Sequence, residues 1–474
     1  MPLILLVADG ARFDTFDAAT RAAPLTGAPA TLPALARLRA EGALYRVATA
    51  FPSVTGIAYT PFLTGRFPGP AGLPGLRWFD RSHTRCRRYP YARSYLGAEM
   101  RHLDGDLDAS HPTLFELAPS RFNAMSMLGR GTERRERIGR DVRTLARAAR
   151  THWSGDVDGW IALDEHVARA ATRHIIARRP EFSCIAMLGL DKASHSEGHD
   201  SALAGRALAT IDAAVAELRD ALEHAGRWDE TELWIVSDHG HSRVRAHDDL
   251  AALVRAAGHR VLAHPWLLSR RAEVAVMVGG NAMAHLYVEL ERRERAGWSA
   301  LAERWDPLVR ALLERDSVDV VILPVNGAEA EVRTRDRGSA RISYARGRFS
   351  YRTVSGDPLG AGLELEHVTA ADAYEVFADG DYPDALVQVA QIASCARSGD
   401  IILSAAAGWD FRERWEPIRH VSTHGSLHRD HMHVPLLVSR PARSTPRRTA
   451  DVMPSALAAM GLPAVGDLDG ASFM

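Results

Sequence analysis

Two kinds of segment alternate along the chain. Short, continuous apolar runs are typical of strands buried on both faces of a sheet; they are LILLVA (3–8), SCIAMLGL (183–190) and ELWIV (232–236). Stretches with helical spacing of apolar residues lie between such runs, at 32–42, 164–179 and 201–226. Strands separated by helices predict an α/β fold, with a mostly parallel central sheet flanked by helices on both faces.

Two regions depart from this alternation. Residues 66–150 are rich in Pro, Gly, Arg and aromatic side chains, which suits loops that frame a site. Residues 265–400 contain the alternating run ARISYARGRFSYRTV (340–354), which predicts a β-hairpin around ARGR. We therefore predict a smaller α+β subdomain at 265–400, inserted into a core formed by 1–264 and 401–474. That core resumes with DIILSA (400–405) and VPLLVS (434–439).

Composition narrows the classes of protein. The 474 residues are 46% hydrophobic and carry a net charge of -1, so no basic field recruits a nucleic acid polymer or an anionic membrane. Cys86, Cys184 and Cys395 are far apart, which argues against a disulfide framework and favours a reducing compartment. No signal peptide and no uncharged apolar run of about 18 residues is found, so we expect a cytoplasmic protein without a membrane span.

Carboxylates and imidazoles follow the strand-like runs. Asp9, Asp191 and Asp238 come at or just after the ends of these runs, where a single Asp usually caps a helix or forms a turn. Ligands of parallel sheets bind beyond the carboxyl ends of the strands, so the topology would gather all three at one edge. His195 and His239 lie close to two of them in sequence, and His424 lies in STHG (422–425). These six side chains would hold two divalent cations.

Mixed carboxylate and imidazole ligands favour zinc, with manganese as the alternative. Calcium prefers an all-oxygen shell, and magnesium takes few histidines. The chain has 21 histidines, so neighbouring ones are expected to support the ligands or the fold rather than to bind metal. These neighbours are His199, His241, His428, His431 and His433.

A small-residue turn, PSVTG (52–56), offers hydroxyl nucleophiles. Thr55 precedes a stretch with helical character, so it would lie near a helix N-terminus, where free N–H groups favour an anion. A threonine hydroxyl needs a metal or a base before it becomes a good nucleophile. Ser53 competes for this role, and a simple N-cap is the other interpretation of Thr55.

Taken together, these motifs resemble the alkaline phosphatase superfamily, in its type I phosphodiesterase/nucleotide pyrophosphatase branch. The matching segments are ADGAR (8–12), PSVTG, LTGRFPGPAGL (63–73), LDKASHSEGH (190–199), VSDHGH (236–241), STHG, HVPLLVSRP (433–441) and the tail from 451 to 473. The resemblance implies that Thr55 is the nucleophile and forms a phosphothreonine. It also implies that Asp9, Asp238 and His239 bind one zinc ion, and that Asp191, His195 and His424 bind the other.

One position departs from the family pattern. Ala58 stands where that branch commonly has an Asn that holds a phosphoryl oxygen. Either a donor comes from elsewhere, such as Asn281 or the Gly56 backbone, or transition-state binding is weaker. Sulfatases and cofactor-independent phosphoglycerate mutases share the fold, but their nucleophile motifs do not match. We expect a two-metal phosphoesterase that acts on phosphodiester or pyrophosphate bonds of a small phosphorylated substrate. The alternatives are a phosphonate hydrolase, a phosphomonoesterase or a non-catalytic binder of phosphorylated ligands.

Two features bear on the leaving group. Lys192, the only lysine, directly follows Asp191 and either supplies charge to the site or points to solvent. A loop of aromatic and arginine residues could stack a base or hold a second phosphate. It could instead cover the sheet edge or pack against the partner in a homodimer, and one of these structural roles is the simpler expectation. Its residues are Trp78, Phe79, Arg81, Arg87, Arg88, Tyr89 and Tyr91.

Overall fold

The computed structural model describes residues 1–21, 30–82, 92–139, 141–264, 271–411 and 420–474. Its strands are β1 (Leu3–Ala8), β2 (Ala43–Ala48), β3 (Arg77–Phe79), β4 (Ala92–Ser94), β5 (Arg121–Ala124), β6 (Arg137–Ile138), β7 (Phe182–Met187), β8 (Glu232–Val236), β9 (Ser242–Arg243), β10 (Ala246–His247), β11 (Val261–Leu262), β12 (Val274–Gly279), β13 (Met283–Val288), β14 (Val318–Asn326), β15 (Glu329–Arg333), β16 (Gly338–Ala345), β17 (Arg348–Gly356), β18 (Leu365–Thr369), β19 (Ile401–Ala405), β20 (Trp409–Asp410), β21 (Ser422–Thr423) and β22 (His433–Val438). Its α-helices are α1 (Phe13–Thr20), α2 (Pro33–Glu41), α3 (Thr60–Thr64), α4 (Leu103–Asp106), α5 (Leu114–Leu117), α6 (Val142–Ser154), α7 (Val157–Arg178), α8 (Gly189–Glu197), α9 (Ala202–His224), α10 (Leu250–Ala256), α11 (Trp298–Leu313), α12 (Ala370–Phe377), α13 (Ala385–Ser394), α14 (Arg429–Met432) and α15 (Val452–Met460).

A seven-stranded sheet forms the centre of the fold, in the order β2-β22-β8-β1-β7-β5-β6. β1 pairs in parallel with β7 on one side and with β8 on the other. β22 runs antiparallel to both β8 and β2, and it is the only reversed strand of this sheet. The predicted α/β class with a mostly parallel central sheet is confirmed.

Alternate residues of β1 pack on opposite faces of the central sheet. Leu3, Leu5 and Val7 point into a core that also contains residues of α3, α13 and α15. Ile4, Leu6 and Ala8 point into a second core formed with α2, α7 and α9. Because both faces are covered, the central strands are continuous apolar runs, as the sequence shows.

A nine-stranded sheet lies beside the central one, in the order β11-β12-β13-β19-β14-β15-β16-β17-β18. It shares one hydrophobic core with the central sheet, while α10 and α11 cover its other side. β16 and β17 form the predicted hairpin around Arg346 and Gly347. The strand at 401–405, which we predicted to resume the core, pairs instead with β13 and β14 of this second sheet. The subdomain boundaries at 264 and 400 stay a prediction.

The region predicted as loops, 66–150, contributes two strands to the central sheet. β5 pairs in parallel with β7, and β6 pairs with β5 at the sheet edge. These strands are short and begin with arginine, so they lack the apolar run that marks the other strands. Among the described helices, none is both long enough and apolar enough to cross a membrane.

Candidate metal centre

The three predicted aspartates lie together at one edge of the central sheet. Asp9 directly follows β1, Asp191 lies in the first turn of α8 after β7, and Asp238 follows β8 by two residues. Because β1 lies between β7 and β8, the ends of these strands are neighbours. All three side chains are buried. Burial of three carboxylates at one place is costly unless cations compensate their charge.

The first group of ligands, which we call the Asp9 half, consists of Asp9, Asp238, His239 and Thr55. One ligand atom from each of Asp9, Asp238 and His239 lies within 4.8 Å of the others. The Thr55 hydroxyl lies 3.0 Å from His239 Nε2 and donates to Asp9 Oδ1 at 3.3 Å. Asp238 Oδ2 is buried and has no hydrogen-bond partner among the described residues. A cation at this place would satisfy that oxygen.

The second group, which we call the Asp191 half, consists of Asp191, His195 and His424, with His241 beside them. From Asp191 Oδ1, the distance is 3.3 Å to His195 Nε2 and 3.6 Å to His424 Nε2. Ligand atoms of Asp191, His239, His241 and His424 also lie within 4.8 Å of one another. The rings of His239 and His424 stack at 3.6 Å between centroids, so the two halves are in contact.

Backbone carbonyls orient three of these imidazoles. Nδ1 of His195 lies 2.9 Å from Ser422 O, and Nδ1 of His424 lies 2.9 Å from Ser53 O. Nδ1 of His239 lies 3.1 Å from Gly240 O. Since a carbonyl can only accept, each Nδ1 donates to its carbonyl, and each Nε2 is left on the side of the carboxylates. This is the arrangement by which proteins fix the tautomer of metal-binding histidines.

Other groups hold the aspartates in place. Tyr59 donates from its hydroxyl to Asp9 Oδ2 at 2.8 Å, and the Lys192 ammonium donates to Asp191 Oδ2 at 2.7 Å. The buried Asp164 accepts from the N–H groups of Leu188 and Gly189 at 3.0 and 2.6 Å. Asp164 thus anchors the start of α8, the helix that carries Asp191 and His195.

The acid–base properties of the two halves differ. Burial, followed by repulsion from Asp238 and Asp191, raises the pKa of Asp9 well above its usual value. Burial also raises the pKa of Asp238, although His239 opposes the shift. Burial would raise the pKa of Asp191 too, but Lys192 and His195 outweigh it and hold the pKa well below the usual value. Burial lowers the pKa of His195 and His424, which favours the neutral form that a metal ion binds.

The structure separates the two candidate nucleophiles. Ser53 is fully buried, and its hydroxyl donates to Ser426 O at 3.0 Å, away from the carboxylates. Thr55 is only partly buried and lies five residues before α3, in a turn rather than at the start of a helix. The turn therefore places Thr55, and not Ser53, beside the ligands.

The two predicted substitutes for the missing Asn are the Asn281 side chain and the Gly56 backbone, and the Asn281 side chain does not reach Thr55. The Asn281 amide lies 2.7 Å from His420 Nδ1, on the Asp191 half. The Gly56 N–H has no backbone acceptor in the part of the chain that the structure describes. Lys192 does not simply point to solvent, because its ammonium faces Asp191 and its side chain is 27% exposed.

The described part of the aromatic and arginine loop packs against the second sheet. Trp78, Phe79 and Arg81 are buried, and the Arg81 guanidinium bonds to Asp400 at 2.6 Å. These three residues hold the loop against the second sheet. Arg87, Arg88, Tyr89 and Tyr91 lie outside the described residues, as does Cys86.

Sequence reasoning missed several residues that support the centre. Besides Tyr59 and Asp164, the structure brings His420 against the ring of His195, at 4.2 Å between centroids, and places Asp410 Oδ2 3.2 Å from His420 Nδ1. Tyr59 lies four residues after Thr55, which was a usable signal, because that spacing keeps both side chains within one turn. Nothing in the sequence around Asp164 or Asp410 indicates their role, because their partners are distant in sequence.

Residues 3–427 match a protein family described as type I phosphodiesterase / nucleotide pyrophosphatase. The chain belongs to this family. The match covers Asp9, Thr55, Asp191, Asp238 and His424, and so it spans both halves of the centre. A comparison with curated protein sequences gave no match.

Solved structures share the fold at low sequence identity. Human ectonucleotide pyrophosphatase/phosphodiesterase 5 is 14% identical with a TM-score of 0.60, over 99% of this chain and 97% of that one. An inactive form of the murine protein, in complex with AMP, is 13% identical with a TM-score of 0.59, over the same shares. Phosphonoacetate hydrolase from Sinorhizobium meliloti 1021, in complex with phosphonoformate, is 16% identical with a TM-score of 0.57, over 97% and 96%.

Proposed function

We propose that this protein is a two-metal phosphoesterase that hydrolyses phosphodiester or pyrophosphate bonds through a covalent phosphothreonine at Thr55. The observation that carries the proposal is the position of the Thr55 hydroxyl, 3.0 Å from His239 Nε2 and 3.3 Å from Asp9 Oδ1. A threonine that served only the fold would not need to lie among buried metal-binding groups. Family membership supports the same class of reaction.

The residues present fit two divalent ions, for which we propose zinc, with manganese as the alternative. Asp9, Asp238 and His239 would hold one ion, and Asp191, His195 and His424 the other. When bound, such ions stabilise negative charge on attacking, leaving and non-bridging oxygens. The unpaired Asp238 Oδ2 and the imidazoles whose Nδ1 atoms are bonded to carbonyls, with Nε2 on the side of the carboxylates, are the features that support bound cations.

The chain's own residues position the reaction. Asp9 and His239 orient the Thr55 oxygen for attack on phosphorus, with departure of the leaving oxygen opposite to it. The N–H of Gly56, the residue after the nucleophile, has no backbone acceptor among the described residues and is our candidate donor to a phosphoryl oxygen. Water then displaces threonine from phosphorus, which restores the hydroxyl and releases the second product.

Trapping the covalent ester tests this proposal. The protein is mixed with bis-p-nitrophenyl phosphate, quenched in acid within a turnover, and digested for mass spectrometry. We expect a p-nitrophenyl phosphoryl group on Thr55, formed as one p-nitrophenolate leaves. Ser53→Ala is the matched control and should give the same label. A label on another residue, or steady turnover without any label, would show that the proposed nucleophile is wrong.

A phosphonate hydrolase or phosphomonoesterase is the second candidate, and Lys192 is the observation that favours it. Its ammonium lies at the Asp191 half, where it adds charge that a dianionic substrate requires. The turn around Thr55 has no cation, which favours a diester monoanion instead. We expect a higher kcat/KM for bis-p-nitrophenyl phosphate than for p-nitrophenyl phosphate. A tenfold preference for the monoester, about 1.4 kcal/mol in transition-state binding, would favour the second candidate. Loss of that preference in Lys192→Ala would assign it to the lysine.

A further inference from the structure

The residue after the proposed nucleophile is a glycine, and a methionine occupies the space that its side chain would need. Gly56 has φ of +80°, in the left-handed region that glycine adopts without strain. A Cβ at this position would lie 2.6 Å from Met127 Sδ, 3.0 Å from its Cε and 3.2 Å from its Cβ. These separations are too short for non-bonded carbon and sulfur atoms. Met127 therefore lies directly against the turn that carries Thr55.

The strand order places Met127 at one end of the row of ligands. Met127 lies in the loop after β5, which pairs with β7 on the side away from β1. Asp238, Asp9 and Asp191 follow β8, β1 and β7, in the order of the strands in the sheet, whereas no proposed ligand follows β5. A substrate group that extends along this edge, away from the ligands, would therefore meet the loop that carries Met127.

Polar side chains on both sides of Met127 hold the backbone of this loop. The Ser126 N–H donates to Asn123 Oδ1 at 3.0 Å. The Asn123 amide and the Ser126 hydroxyl both donate to Leu128 O, at 3.0 and 2.9 Å. Because these bonds flank Met127, they fix the backbone position from which its side chain reaches Gly56.

Two arginines near the loop also bind its backbone or that of neighbouring segments. The Arg130 guanidinium donates to two backbone carbonyls at 3.1 and 2.9 Å, and the Arg137 guanidinium donates to Gly129 O at 2.8 Å. Met127 is only partly buried and packs at the border of the hydrophobic core. The described side chain that this loop places beside Gly56 is therefore a thioether and not a cation.

We propose that Met127 is a specificity-determining residue that forms an apolar subsite for the ester group retained on phosphorus. The inference rests on the proposed function and adds a substrate class, namely phosphodiesters whose retained group is alkyl or aryl. Anionic phosphoryl oxygens are drawn to cations and N–H donors, whereas a retained ester group carries no charge. It is thus the substituent that can turn away from the ligands towards Met127. A flexible, polarisable thioether suits both alkyl and aryl groups.

Two diesters that differ in a single group test this inference. n-Butyl p-nitrophenyl phosphate and 2-methoxyethyl p-nitrophenyl phosphate have the same leaving group and the same chain length, but the second has an ether oxygen in place of a methylene. For the metal-loaded wild type we expect kcat/KM to be about tenfold higher for the butyl ester, as for one methylene in an apolar pocket. Equal values for the two esters would overturn the inference.

Substitutions in the loop test whether Met127 sets this preference. Met127→Gln replaces the thioether by an amide of similar length and should reduce the preference to about twofold or less, whereas Met127→Leu should retain it. Met125→Gln is the matched control, because Met125 belongs to the same loop but lies against Gly139 rather than Gly56. It should keep the wild-type preference. A purely structural role of Met127 would lower kcat/KM equally for both esters, and an unchanged ratio in Met127→Gln would contradict our assignment.

A smaller side chain provides a second test of the same contact if Met127→Gln does not fold. Met127→Ala opens space beside Gly56 without adding a polar group. We expect its kcat/KM to rise from the n-butyl to the n-hexyl ester relative to the wild type. The same dependence on chain length in both proteins would show that the retained group does not contact Met127.

Binding of n-butylphosphonate and 2-methoxyethylphosphonate separates this inference from the proposed function. Neither compound has an ester bond to cleave, so calorimetry on the metal-loaded wild type measures the subsite without turnover. We expect the Kd of the butyl compound to be about tenfold lower. If this difference is found but neither diester is hydrolysed, the proposed function is wrong and the subsite is supported. If the two phosphonates bind equally, the inference is wrong whether or not the diesters are hydrolysed.

Discussion

The two halves of the centre differ in how the charge of their buried carboxylates is compensated. The Asp9 half concentrates two buried carboxylates with a single imidazole, and burial and repulsion raise the pKa of both Asp9 and Asp238. The Asp191 half has one carboxylate, whose pKa is held low by Lys192 and His195. Without metal, the buried carboxylates of the Asp9 half repel each other, whereas the charge of Asp191 is compensated by protein groups. The Thr55 hydroxyl, which we propose as the nucleophile, lies in the Asp9 half, where a bound cation would change the local charge most.

The largest effect that we expect comes from the nucleophile of the Asp9 half. Thr55→Ala should lower kcat by at least about a thousandfold, because Ser53, the other hydroxyl of the PSVTG turn, donates to Ser426 O and not to the ligands. Thr55→Ser should retain part of the activity, since the oxygen persists. Metal content, measured by elemental analysis, should stay close to two ions per chain in both variants. A Thr55→Ala protein with near-normal turnover would mean that water attacks phosphorus directly.

A pH-dependent stability difference should follow from Asp164, which supports the Asp191 half. Burial raises the pKa of Asp164 to about 7, against the two backbone N–H groups that lower it. The folded protein therefore binds this proton more tightly than the unfolded chain does. Stability from this residue is present below the unfolded pKa and is lost as pH rises, at about 1.4 kcal/mol for each pH unit between roughly 4 and 7.

Urea unfolding of the wild type and of Asp164→Asn at several pH values measures this contribution of Asp164 to stability. The free energy of unfolding of the wild type should fall relative to that of the variant as pH rises. Asp158→Asn is the control, since Asp158 lies on the same helix with its side chain 72% exposed. A constant difference between wild type and Asp164→Asn would show that Asp164 stays ionised in the fold.

Removing one charge from each half should affect the metal-free protein in opposite directions. Asp9→Asn removes a buried repulsion and should stabilise the chelated protein. Asp191→Asn breaks the bond to Lys192 and should destabilise it by about 1–3 kcal/mol. Thermal unfolding in the presence of chelator measures both. Equal shifts of the same sign would contradict the contrast between the halves.

The smallest effect that we expect is from Tyr59, an outer partner of the Asp9 half. Tyr59→Phe removes only the hydroxyl that donates to Asp9 Oδ2. One of the two metal-binding steps should lose about tenfold in affinity, while the other stays unchanged. Calorimetric titration with Zn²⁺ resolves the two steps. Weakening of both steps together would mean that the halves bind metal as one unit.

Much of the candidate metal centre could be predicted from the sequence, because its aspartates follow recognisable strands. The buried runs before Asp9, Asp191 and Asp238 predicted parallel strands, and parallel strands place their carboxyl ends at one edge. The hairpin at β16 and β17 was predicted for a similar reason, since its alternation is local. The strand β19 was misplaced, because an apolar run fits either sheet and its partners are distant in sequence.

The sequence by itself determined the fold class, the edge of the sheet at which the three aspartates meet, and the residue types of the proposed ligands. Only the tertiary structure decided which turn hydroxyl faces the carboxylates, because the sequence offers two hydroxyls, Ser53 and Thr55, and does not record where each side chain points. It also brought His241, Tyr59 and Asp164 into support of the centre through hydrogen bonds between residues far apart along the chain. Such contacts depend on how helices and loops pack, and no local pattern of hydrophobic and polar positions records that packing.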